Sequence, residues 1–178
     1  MTRSRSTGPA RSTSMTFYST YDSPVGELLL LGGEEGLTGL YLPDPTHGPA
    51  PTERHRDEAP FGAAREQLDA YFAGELETFD LPLAPAGTDF QRRVWDELAR
   101  IPFGETISYS QLAERIGNPR TVRAVGLANG RNPISIVVPC HRVIGADGSL
   151  VGYGGGLENK RWLLEHEAVA LGHRLPVG

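Results

Sequence analysis

Two four-residue signatures, Thr88-Asp89-Phe90-Gln91 and Ser108-Tyr109-Ser110-Gln111, constrain this chain more than any other feature. In each, a hydroxyl and a glutamine three residues later can satisfy one another's orphan backbone N–H groups, which marks the first turn of a helix. After the first, Phe90, Val94, Trp95, Leu98 and Ile101 form one apolar stripe, and Pro102 with Gly104 ends it. The second places Tyr109 on the first turn of a helix running through Leu112, Ala113 and Ile116, after which Gly117 turns the chain. Asn118-Pro119 then supplies a cap and a proline at the first helical position, and the next helix ends near Asn129-Gly130. Two short helices joined by a glycine turn, the second bearing Arg120 and Arg123, fit either a helix-turn-helix or an ordinary αα-hairpin. The second helix presents Ala124, Gly126 and Ala128 in place of long polar side chains, a surface for close approach and not for reading base edges.

The first half reads differently. Met15 to Thr20, Glu27 to Leu31 and Leu37 to Leu42 are β-prone runs separated by Ser23-Pro24, Gly32-Gly33 and Gly36, the pattern of a small antiparallel meander. Ala63 to Phe72 sets Ala64, Leu68, Tyr71 and Phe72 at helical spacing with Gly74 beyond, and Pro43 to Pro60 reads as a loop. Nothing in this half looks chemical. The expected division is an N-terminal α/β domain over 15–85, a second domain over 86–178, and an unstructured extension over 1–14, with Met15 as an alternative start.

The net charge of −5 hides a segregation: residues 1–85 carry 6 Lys/Arg against 13 Asp/Glu, residues 86–178 carry 11 against 9. From Arg115 to Ala146 lie five arginines and no acid, so a polyanion would be met there unless that face is merely solvated. A single cysteine excludes an intramolecular disulfide and any multi-thiolate zinc site, which suits a reducing compartment. No apolar run exceeds four residues, as in Leu28 to Leu31, so the chain reads as soluble with no membrane contact.

The cysteine follows a β-prone run, Ile134 to Val138, in Pro139-Cys140-His141-Arg142. A lone cysteine is commonly a small buried apolar residue, but an imidazole, a guanidinium and no acid form an electropositive setting that favours the thiolate. On an extended chain Cys140 and His141 point to opposite faces, so a water would carry the proton between them. A histidine base needs a carboxylate to fix its tautomer. Glu167 is the candidate, sharing a face with Leu163 and Leu164 on a helix from Glu158 to Ala170, where the alternative is an acid at the edge of a buried stripe. Tyr153-Gly154-Gly155-Gly156 offers either a pocket wall with close N–H donors or a connecting turn.

Taken together, Val138-Pro139-Cys140-His141-Arg142-Val143, Ile107-Ser108-Tyr109, Arg123-Ala124-Val125-Gly126, Asn132-Pro133, Tyr153 and Leu163-Leu164-Glu165-His166-Glu167 resemble, in order, the motifs of the O6-alkylguanine-DNA alkyltransferases. Ser23-Pro24-Val25-Gly26 and Tyr71-Phe72-Ala73-Gly74 are similar to that family's first domain more loosely. The resemblance implies an α+β fold: a small β-sheet plus helix domain, ribonuclease H-like, followed by a mainly helical, winged helix-turn-helix-like domain. It implies stoichiometric, irreversible transfer of a methyl or larger alkyl group from O6-alkylguanine, with O4-alkylthymine as a second substrate, to Cys140. His141 matches the base acting through water, Glu167 the carboxylate behind it, and Asn132 the hinge before the cysteine segment. Tyr109 matches the residue that helps rotate the nucleotide, and Arg123 the finger that fills the gap left in the duplex. Tyr153 and Gly154 match the pocket wall, Lys160 a lysine supporting it, and Arg120, Ala124 and Val143 further DNA or substrate contacts. The implied partner is double-stranded DNA carrying O6-alkylguanine, met in the minor groove by a cytoplasmic monomer, with cooperative assembly along DNA open. No cofactor is implied. Neither is a metal, since the zinc that some relatives bind needs first-domain cysteines missing here, and Gly154 stands where some relatives have serine. Three readings compete: a non-catalytic relative, which lacks the cysteine; a cysteine hydrolase using Cys140, His141 and Glu167; and a helix-turn-helix regulator with an inert thiol.

Overall fold

The computed structural model describes residues 15–49 and 52–172. The expected extension over 1–14 lies outside the described residues, as do 173–178 of the second domain. Strands β1 (Phe17–Ser23), β2 (Gly26–Gly33) and β3 (Gly36–Tyr41) form the meander, with neighbours antiparallel. Pro24 and Val25 make the first hairpin turn, and Gly26 beyond it has φ +102°, a backbone setting in which a side chain is strained. Leu28 and Leu30 alternate inward along β2 and share a core with Leu40, Phe61, Leu68 and Tyr71, none more than 1% exposed. Helix α1 (Gly62–Phe72) supplies the last two of these.

The Pro43 to Pro60 stretch is not all loop. It holds β4 (His55–Arg56), paired parallel to β1 at the sheet edge opposite β3, and one turn of 3-10 helix begins at Ala59. Both capping boxes form as the spacing predicts and open α2 (Asp89–Leu98) and α3 (Tyr109–Ile116). Between them β5 (Ile107–Ser108) pairs with β6 (Val143–Ile144). Gly117 ends α3 in the left-handed conformation, and a 3-10 turn over Pro119–Thr121 leads into α4 (Val122–Gly130). Trp95 Nε1 donates to Ala128 O at 2.9 Å, tying α2 to α4, and α5 (Leu157–Ala170) closes the domain.

The β3 edge carries the junction between the two halves. Leu40 N–H donates to Pro133 O (2.8 Å) and Ser135 N–H donates to Leu40 O (3.0 Å). The segment leading to the cysteine is thereby pinned to the first domain by main-chain bonds. That bridge is all that remains of the strand expected over Ile134 to Val138. Ile136 sits at φ +73°, an outlier for a β-branched residue, and Val138 N–H turns back onto Ile134 O, so the run coils beneath the site.

Candidate active site

Cys140 begins a single 3-10 turn, Cys140–Arg142, so it and His141 do not point oppositely along an extended chain as the sequence suggested. The thiol is buried and lines a cavity of about 20 Å³ together with Asn129, Asn132, Ser135 and Tyr153. That volume is one water's worth. Tyr41, Leu42 and His47 of the first half line it as well, and Thr46 N–H donates to Gly154 O at 3.0 Å. Alongside runs a groove of about 550 Å³ between α4 and the 151–154 segment, with Tyr109, Val122 and Gly126 on its wall.

Asn132 organises the approach to the sulfur. Its Nδ2 donates to Val138 O at 2.8 Å and its Oδ1 accepts from Ile134 N–H at 3.0 Å, closing the coil around one amide. Burial pushes the Cys140 thiol above its ordinary value, with Asn132, Lys160 and Ser135 pulling the other way. The electropositive neighbourhood inferred from adjacent residues is therefore corrected. Arg142 does not face the sulfur: its Nε and Nη2 donate to the two oxygens of Glu167 (2.8 and 3.0 Å) and its Nη1 to Ile101 O (2.7 Å).

Glu167 is wholly buried. Besides Arg142 it accepts from Gly104 N–H at 3.1 Å and from the Tyr71 hydroxyl at 2.7 Å, and His141 Nε2 lies 2.6 Å from its Oε2. Burial alone would raise its pKa, yet His141 and Arg142 hold the carboxyl well below the usual carboxylate range. An ionised Glu167 requires a proton on Nε2, which leaves Nδ1 of a neutral His141 as the free lone pair. Nδ1 is buried and has no partner among the described residues. Burial lowers the His141 pKa despite Glu167, so the ring is neutral and basic at Nδ1.

Lys160 is buried on α5, pulled down to about 8 by burial, and its Nζ donates to Val151 O at 2.9 Å. The Tyr109 hydroxyl donates to the same carbonyl at 2.9 Å, so both residues brace the glycine-rich segment from beneath. Tyr153 is half-buried with an enclosed hydroxyl that has no hydrogen-bond partner among the described residues, and burial followed by Cys140 raises its pKa, with Ser135 pulling the other way. Arg120, Arg123 and Ala124 lie exposed on the second element of the helix-turn-helix, outside the cavity. Val143 is corrected: it is buried in the β5–β6 ribbon and lines neither cavity nor groove, so its role is packing. The sequence reading missed Ser135, Asn129, Tyr71 and the first-half wall at Tyr41 to His47. Only Tyr71 carried a signal, a tyrosine at an inward helical position, where a hydroxyl needs a partner.

Among the described residues no three metal-ligating side chains cluster, and no helix is long and apolar enough to cross a membrane. Fold and site together define a two-domain α+β protein in which one enclosed thiol, backed by an imidazole and a carboxylate, sits beside a helix-turn-helix. Residues 16–85 match the ribonuclease-like domain of 6-O-methylguanine DNA methyltransferase and residues 89–169 match its DNA binding domain. The chain belongs to this family. It is 56% identical over 153 residues to the methylated-DNA--protein-cysteine methyltransferase of Mycobacterium tuberculosis, covering 86% of this chain and 93% of the relative. With that of Methanosarcina acetivorans it shares 51% over 152 residues, covering 85% and 97%. The crystal structure of Mycobacterium tuberculosis OGT in complex with DNA superposes with a TM-score of 0.84 at 55% identity, over 86% of this chain and 94% of that one.

Proposed function

We propose that this protein repairs DNA by direct reversal, moving an alkyl group from guanine O6 onto Cys140 once and irreversibly. The observation that carries the reading is the single thiol at a cavity that opens beside the helix-turn-helix, with the next residue in the same 3-10 turn, His141, keeping its Nδ1 lone pair unclaimed. A base in the duplex is out of reach of an enclosed sulfur, so the nucleotide must rotate out. Arg123 enters the stack in its place, Arg120 and Ala124 meet the backbone and the minor groove, and Tyr109 guides the rotation from the groove wall. Since the cavity admits only a water, the Tyr153 to Gly156 segment and the Thr46 contact shift to admit the ring.

The thiol proton passes through a water to His141 Nδ1, and Glu167 stabilises the imidazolium. The sulfur attacks the sp3 carbon, the S–C bond forms as the C–O6 bond breaks, and guanine leaves as its O6 anion, stabilised by the Gly154 N–H and balanced in charge by the thiol's proton held on His141. Lys160 and Tyr153 hold that side of the pocket, and Asn132 holds the sulfur in line. The product is a thioether with no carbonyl for water to attack, so the thiol is not regenerated. The same chemistry covers O4-alkylthymine. No cofactor takes part, the working unit is the monomer, and the domains divide at 85/86. A thiol that must stay free suits the cytoplasm.

Incubation with a duplex containing O6-methylguanine, followed by mass spectrometry of peptides, tests this. Cys140 gains about 14 Da, a methyl in place of the thiol hydrogen, at one equivalent per protein. A thiol that stays unmodified, or repeated turnover, rejects it.

A further inference from the structure

The carboxylate of Glu167 receives one of its donors from the other domain. Tyr71 lies on α1, is 0% exposed, and donates its hydroxyl to Oε2 at 2.7 Å, the oxygen that His141 Nε2 approaches at 2.6 Å. Its backbone carbonyl accepts from His166 Nε2 at 2.8 Å, and the rings of Phe79 and Phe103 pack on it with centroids 5.4 and 6.0 Å away. We propose that Tyr71 is a positioning residue of the alkyl-transfer site, through which the N-terminal domain sets how strongly Glu167 holds His141. The inference rests on the function proposed above.

Packing does not account for the hydroxyl, because a phenylalanine would fill the same space without burying a polar group. The groups facing the carboxylate are His141 and Arg142 from the 3-10 turn, Gly104 N–H from the loop after α2, and Tyr71 from α1. Lys160 on α5 acts on His141, and Tyr153 on Tyr71, at longer range. Oε1 is taken by Arg142 and Gly104, so Oε2 is shared among His141, Arg142 and Tyr71. Burial and the Glu167 anion keep the Tyr71 proton in place, so it is a permanent donor. Each donor on Oε2 draws electron density from the bond to His141. Without Tyr71 that bond tightens, the imidazolium is favoured, and His141 gives up Nδ1 as a base at higher pH.

Tyr71→Phe keeps the ring and removes the donor. Transfer from free O6-benzylguanine to Cys140 is measured from about pH 5 to about pH 9, so that duplex binding plays no part. The acid limb of the rate profile is expected to move up by about half a pH unit, slowing transfer by up to about threefold toward the acid end near pH 5, with Tm within a few degrees of the parent. Added to Glu167→Gln, the same substitution changes the rate by less than about twofold, since its route through the carboxylate is already broken. A folded variant that titrates like its parent, or full additivity with Glu167→Gln, shows that the hydroxyl does not act through the carboxylate, and outright unfolding makes its role structural, so each overturns the assignment. Failure of the underlying reading shows separately, as an unmodified Cys140 in the parent.

Discussion

The two halves of the molecule are held together by different physics. In the first, apart from the tyrosine hydroxyls of Tyr21 and Tyr71, Ser19 is the one buried polar side chain among the described residues, and the rest is a backbone ladder over an apolar core. The second buries Asn129, Asn132, His141, Arg142, Lys160 and Glu167. Buried ion pairs add little net stability, because desolvation offsets their attraction, but they are costly to break. The difference teaches that the first half mainly secures the fold, lending the site one hydroxyl and a wall, while the second spends folding energy on holding charges in place.

The sharpest way to break that contrast is at the sulfur. Cys140→Ala removes all covalent capture of the alkyl group yet keeps the parent Tm within a few degrees, as adduct mass and calorimetry check. Next in size is Glu167→Ala, which leaves the Arg142 guanidinium buried without its partner. Denaturant titration should show a loss of about 3–5 kcal/mol. In the first half, Leu68→Ala costs about 2–4 kcal/mol by cavity formation alone and leaves the pH profile of benzylguanine transfer where it was. If it also moved the profile, the division of labour would fail. Arg123→Ala is smaller: repair of a duplex slows about tenfold while reaction with free O6-benzylguanine is unchanged, which paired rate measurements test.

Acid gives the smallest and most local effect. His141 is lowered by burial, so the unfolded chain binds its proton more readily, and stability falls as pH drops below about 6.5. Glu167 is depressed by His141 and Arg142 against its own burial, so its contribution is complete above its unfolded value near 4.5 and lost only in stronger acid. Tm should therefore decline between about pH 7 and about pH 5 through His141 alone, and a flat profile would show that the ring is not held neutral.

Most of the second half was legible because its signals are local. A capping box names both partners three residues apart, and Gly117 and Asn118-Pro119 mark a turn by backbone preference alone. Glu167 was legible because an acid among leucines needs an explanation. What escaped depends on contacts far apart in sequence. Arg142 looks like a cation for the thiolate until α5 brings Glu167 against it, and Ile134 to Val138 reads as a strand until Asn132 and the β3 edge coil it. Tyr71 meets its acceptor 96 residues away, a distance over which no periodicity carries information. The thiol was misjudged for the same reason: adjacent cations are visible in a sequence, and enclosure is not.

The clasp at Leu40 uses only main-chain atoms on both sides. Such a seam is itself indifferent to side-chain identity, but the apolar core runs across it, so a first half exchanged from a relative must match the rings around Tyr71 and Phe72 as well as the register at Leu40. A transplanted half would seat the coil correctly and still leave the rest of the molecule to be matched by the few side chains that cross the boundary.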